Sequence, residues 1–160
     1  MFQRTAGRLR GFPVLAVLAS LTLGSGNGAL AQSAPQTGLP IVELTAGMHR
    51  IRAELASTPA TRSIGLMHRR GLGPNQGMLF AFPEPGMHCF WMRNTLVPLT
   101  IAFIADDGRI VNTADMAPLT EDGHCPSEPV RLALEMEQGW FARKGLRNGD
   151  RIGIPPVSGR

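Results

Sequence analysis

Apolar and polar residues alternate with a period of two over several short stretches of the chain, a pattern that predicts strands. In "HRIRAEL", Ile51, Ala53 and Leu55 fall on one side and Arg50, Arg52 and Glu54 on the other, as in a strand with one wet face. "GMLFAF" is almost wholly apolar and is closed by "PEPG", hence a strand and a turn. "PLTIAFIADDGRIVNTADM" predicts a hairpin: Ile101 and Phe103 lead in, Asp107-Gly108 makes the tight turn, and Ile110 and Val111 lead out. "VRLALEM" alternates again, with Val130, Leu132, Leu134 and Met136 expected inward, and "NGDRIGI" turns into a final strand, with Asp150 as turn chemistry.

Two stretches predict short helices. Thr58 is a good N-cap, Pro59 suits the first helical position, and Ala60, Ile64 and Met67 fall at i, i+4 and i+7, so an amphipathic helix ending near Gly71 is expected. "QGWFARKG" gives one or two turns stopped by Gly145, with Trp140 and Phe141 capping the bottom of the core. Met116–Pro129 is a loop on its Pro, Gly, Asp and Ser content. The densest stretch is "MHCFWMRNTLVPLT", Met87 to Thr100. If extended, it places Met87, Cys89, Trp91 and Arg93 on one face and His88, Phe90, Met92 and Asn94 on the other. Both faces are apolar until the end, so a strand covered on both sides is expected. The sum is a mainly β single domain with two short helices, a compact antiparallel β-barrel or sandwich.

The amino terminus adds a compartment. Arg4, Arg8 and Arg10 form a positive region ahead of the apolar "FPVLAVLASLTL", and Ala29 and Ala31 supply small residues for a signal peptidase. We expect a signal peptide over residues 1–31, cut after Ala31, a flexible lead-in over 32–40, and the β domain over 41–157. The apolar run is short for a bilayer, which takes about 20 residues, so no membrane span is expected after cleavage. No cysteine near the cut offers a lipid anchor. The protein is expected to be periplasmic or secreted, and monomeric.

Cleavage changes the electrostatics. The chain carries 16 basic and 12 acidic residues, formally +4, and three of the basic residues leave with the signal, so 13 − 12 gives +1. Without a basic stripe, nucleic acid is not an expected partner. Only Cys89 and Cys125 are present. An even count in an exported chain suggests a disulfide, whose 36-residue loop would contribute up to about 4 kcal/mol in the chain-entropy model; two separate buried thiols are the competing reading.

The order "GLMHRR…GMLFAFPEPGMHCFWMRNTLVPLTIAFIADDGRIV…VRLALEMEQGWFARKGLRNGDRI" resembles the DUF192 family, also called UPF0127, over Leu55 to Ile154. The resemblance implies a small β-rich domain, often exported in bacteria, without an established biochemical function. Cys89 and Cys125 resemble an exported subset of that family, consistent with a disulfide. Two positions depart from its pattern. Arg93 stands where lysine is usual, which keeps the charge as a planar fork, and Thr100 stands where aspartate is usual.

Packing competes with each candidate chemistry. No G-x-S-x-G elbow occurs, and His88-Cys89 and His124-Cys125 are neighbours that point to opposite faces of a strand, so neither is a nucleophile–base pair. No catalytic residue and no cofactor are expected. A soft copper site drawn from Met87, His88, Cys89, Met92, Met116 and His124 suits that metal's ligand preferences, but methionine is equally a core gap-filler; no metal ligand is assigned. The favoured reading is a small-molecule or envelope-protein binding surface at the end of the crowded stretch, built from Trp91, Arg93, Asn94 and Thr95 with Met67, Met78 and Asp115 as neighbours, and Gly65 and Gly77 bringing backbone close. The competing reading has Asn94 and Thr95 closing a hairpin and Arg93 paired with Glu84 or Asp115. A hydrolase of a cell-envelope or sugar-like substrate, with Asp115 or Glu84 as general base, is the enzyme alternative.

Overall fold

The computed structural model describes residues 34–157; the expected signal peptide and its cut lie outside them. The strands are β1 (Ile41–Ala46), β2 (His49–Ala56), β3 (Gln76–Gly86), β4 (Leu99–Ile104), β5 (Ile110–Met116), β6 (Val130–Glu137) and β7 (Ile152–Gly153), with helices α1 (Pro59–Ile64) and α2 (Trp140–Arg143). They form one curled seven-stranded sheet, a half-barrel, in the order β5-β4-β6-β3-β2-β1-β7. The expected mainly β domain with two short helices is what the chain adopts. Its sheet departs from an all-antiparallel one at one joint: β2 and β3 pair in parallel, because α1 carries the chain across between them.

The two faces of the sheet bury separate cores. On one face Leu44, Ile51, Leu79, Ile104, Leu134 and Met136 pack under Trp140 and Phe141 of α2, so this aromatic pair does close that core. On the other face Met78, Phe80, Ile101, Phe103 and Ala133 pack under Leu66 and Met92, which come from the segments around α1 and after β3. Every residue of β4 is buried, as are Leu132 to Met136 of β6. The expected one-sided alternation of β6 is therefore incomplete: Ala133 and Glu135 are buried as well, because β6 lies between β3 and β4 with cover on both sides.

Several local expectations are corrected. α1 starts as predicted, with Thr58 and Thr61 forming a reciprocal cap, but it ends at Gly65 and not near Gly71. None of its residues is buried; Ala60 is exposed and Ile64 and Met67 are half-buried, since the cover of the core is supplied by Leu66 just beyond the helix. Gly65 has φ +52°, and a Cβ there would meet the Phe80 ring at 3.3 Å, so both the turn and the close packing call for glycine. "PEPG" continues β3 to Gly86 after an irregularity in its pairing with β6. β1 is a strand that the reading of the sequence passed over, although Val42, Leu44 and Ala46 alternate with Glu43 and Thr45. The lead-in is anchored at Gln36, whose buried amide donates to the carbonyls of Thr61 and Gly65.

The largest correction concerns Met87–Asn94. It is not a doubly buried strand. Phe90 makes a single antiparallel bridge to His124, Met92 N–H bonds the Thr120 carbonyl, and the rest is loop. The predicted division of faces survives in part: His88, Phe90 and Met92 turn inward to differing extents, whereas Met87, Cys89, Trp91 and Arg93 face outward. Trp91 is 50% exposed and Met87 53%. The segment is itself the cover of the second core, so only one of its sides is dry.

Gly77 has no room for a side chain, since a Cβ there would clash with the Glu135 carbonyl oxygen and the Met136 sulfur of β6. Gly77→Ala is expected to lower the unfolding free energy by about 1–3 kcal/mol or more, and Gly71→Ala, where nothing lies within 4 Å, to change it by less than about 0.5 kcal/mol. Urea denaturation of the two variants checks this.

Candidate functional site

The cover over the second core is incomplete, and a cleft of about 510 Å³ opens where α1 and the 88–91 segment stand apart over β3 and β6. Phe80, Phe82 and Glu135 of the sheet line it, with Arg62, Gly65 and Met67 from the α1 side and Phe90, Trp91 and Thr95 opposite. The aromatic wall is ordered by ring packing. Phe90 stands edge-on to Phe80 and Phe103, with centroids 4.9 and 5.9 Å away, and His88 stacks on Phe82 at 3.7 Å. Arg62 lies over the Phe82 ring at 4.8 Å, and its Nη1 donates to the carbonyls of Ser57 and Ala81 at 2.5 and 2.9 Å. That guanidinium is held by backbone, not by an acid.

Cys89 and Cys125 are joined by a disulfide, which ties the cleft's 88–91 wall to the 117–129 loop. The bridge fits an oxidising compartment, and among the described residues no helix is long and apolar enough to cross a membrane.

Glu135 is the unusual group. It is 4% exposed, sits in register between Met78 of β3 and Ile101 of β4, and receives no hydrogen bond among the described residues. Desolvation alone acts on it and pushes its carboxyl from the ordinary 4.5 up to about 8. At neutral pH the group is mostly a neutral acid, able to donate a hydrogen bond into the cleft or to ionise toward a suitable cation.

Among the residues singled out from sequence, Trp91, Thr95 and Met67 line this cleft. Arg93 points along the surface: it stacks on Trp91 at 5.0 Å and pairs with Glu121 at 2.9 Å, not with Glu84 or Asp115. Both partners are about half exposed, so the pair contributes little. Asn94 adopts a left-handed turn (φ +57°) and its carbonyl accepts from His68 N–H. Met78 is wholly buried beneath the cleft. Asp115 is away from it, accepting a hydrogen bond from Thr100 on the other face of the sheet. The Thr100 hydroxyl also accepts from Gly139 N–H at the start of α2, which gives threonine a structural use at the position where the family usually has aspartate. Of the two glycines, Gly65 borders the cleft and Gly77 serves strand packing. Glu135 was missed because it appears as the outward residue of an alternating strand; its signal was a lone acid inside "LALEM", between two apolar neighbours on a strand too apolar to be an edge.

The family model DUF192, described as "Uncharacterized ACR", matches residues 42–154, and the chain belongs to this family. No curated protein matches the chain significantly. Solved structures similar to this chain include the following two. One is a Sinorhizobium meliloti 1021 protein provisionally named a transcription regulator, 38% identical, with TM-score 0.67 over 71% of this chain and 92% of its own. The other is a protein of unknown function from Novosphingobium aromaticivorans DSM 12444, 40% identical, with TM-score 0.70 over 78% and 93%.

The Glu135 carboxyl has a thermodynamic signature. The folded protein holds this proton up to about pH 8, whereas the unfolded chain releases it near 4.5. Between those values the folded state binds more protons, so its stability falls as pH rises, by up to about 1.4 kcal/mol per unit, and levels off above 8. Glu135→Gln is expected to remove that slope, which urea midpoints measured from pH 4 to 9 would show.

Proposed function

We propose that this domain is a small-molecule binding module of the periplasm or cell exterior, and that the Glu135 cleft is its site. The observation that carries the reading is a buried carboxyl without a partner on the floor of an aromatic-walled opening. A protein gains nothing in stability from such a group, since an unpaired buried acid is a cost. A cleft of this volume, walled by aromatic side chains and carrying several polar groups, has the make-up of ligand sites. Export is supported by the amino-terminal sequence and by the disulfide.

The alternatives have less support. For hydrolysis, Asp115 is turned away and bonded to Thr100, and Glu84 is exposed outside the cleft lining. Glu135 is the one carboxyl lining the cleft, where two-carboxylate hydrolysis needs a pair. For copper, the cysteines are bridged, Met92 and Met116 are locked in the core, and Met87 projects into solvent, so the soft candidates do not converge.

Native mass spectrometry of protein gently purified from its own periplasm tests the reading. We expect a small-molecule adduct that is lost on denaturation. Ser63→Trp, placed on the exposed rim of the cleft, should reduce adduct recovery more than about tenfold with an unchanged melting temperature. Recovery of no adduct, or of equal adduct from Ser63→Trp, would contradict it.

A further inference from the structure

Resting on the small-molecule reading of this cleft, we infer that its ligand is an organic cation, an amine or quaternary ammonium group with an apolar body, seated with its positive charge against Glu135. The ligand's chemistry follows from what the site has and lacks. Its polar inventory at the sheet is one carboxyl, with aromatic side chains around it: Phe80, Phe82, Phe90 and Trp91. A sugar or another polyhydroxyl compound needs several directional hydrogen-bond partners; of the other polar side chains in the lining, Arg62 and His88 are engaged with Phe82 and backbone carbonyls, which leaves the hydroxyls of Ser63 and Thr95. An anion would meet the carboxyl, and its only cationic contact, Arg62, already gives Nη1 to two backbone carbonyls. A cation gains twice. It supplies the counter-charge that the protein omits, and its hydrogens, polarised by the charge, favour aromatic faces.

The surroundings of Glu135 leave that role to a ligand. From β3 it faces the Met78 thioether and from β4 the Ile101 side chain, neither of which titrates. The acid in the next register position, Glu54 on β2 opposite Met78, is neutralised by Arg69 at 2.7 Å. Arg62 and His88 are at the aromatic wall, engaged with Phe82, and His88 Nε2 lies 3.1 Å from the Glu84 carbonyl. Cys89, also in the wall, is oxidised and carries no charge. No described cation pairs with Glu135.

Binding a cation then requires the carboxyl to ionise, and the proton leaves to solvent: the acid's O–H breaks, the carboxylate stays, and the bound ligand balances its charge. Because burial holds the free group's pKa near 8, affinity for a cation of fixed charge should rise about tenfold per pH unit below 8 and flatten above it.

The experiment uses three probes that share a ring and differ in charge: benzyltrimethylammonium, benzyl alcohol and benzoate. Binding to the mature protein is followed by amide chemical shifts from pH 6 to 9. We expect the cation to perturb amides of residues 65–67, 90–95 and 133–137, to bind with the stated pH dependence, and to bind at least about tenfold more tightly than either companion above pH 8. Glu135→Gln, which keeps shape and removes the charge, should abolish the pH dependence and most of the affinity while melting at or above the wild-type temperature. Benzyl alcohol or benzoate binding as tightly as the cation would overturn the inference and leave the cleft a ligand site of another class. Absence of shifts with all three at millimolar concentration would also overturn it, and an adduct recovered from the periplasm would then show that the cleft binds something else.

Discussion

Strands β4 and β6 are buried on both faces, and this double cover is the constraint from which the site follows. A strand in that position is expected to be apolar throughout, and β4 nearly is. β6 carries an acid at Glu135, held in register between Met78 and Ile101. Burial removes most of the water that would solvate its charge, and among the described residues no side chain pairs with it. The group responds by keeping its proton. An unpaired acid in this position costs stability, and functional sites are where such costs concentrate.

The proposed site depends on how the second core is roofed. One half of the roof comes from α1 and its continuation to Leu66, closed down on Phe80 through Gly65. The other half is the loop after β3, which sends Phe90 and Met92 inward and is fastened by the Phe90–His124 bridge and by the disulfide. Between the halves the roof stays open above Glu135. Edge-to-face packing of Phe90 against Phe80 and Phe103 sets one wall of the opening.

Much of this was legible in the sequence. Period-two alternation marked β2, the β4–β5 hairpin and β6; Thr58-Pro59 marked the start of α1, and Gly145 the end of α2. Even the two faces of Met87–Arg93 were separable, although both were expected to be covered. What alternation does not report is whether a second layer covers the outward side, because that depends on segments distant in sequence. The double burial was therefore assigned to the Phe90 segment, which is cover, and not to β4 and β6, which are covered. The same gap hid Glu135 and drew attention to Arg93, whose partner Glu121 lies in a loop of no regular pattern. Trp91, Thr95 and Met67 line the opening because they border an apolar run, while Asp115 lies on the other face of the sheet, which strand order decides.

Direct titration of the Glu135 side-chain carboxyl carbon by NMR tests the central claim. An unpartnered acid in the cleft floor predicts an inflection near pH 8 in the free protein. An inflection near 4.5 would mean that water or a positive group already solvates the carboxylate, and the site as described would not exist.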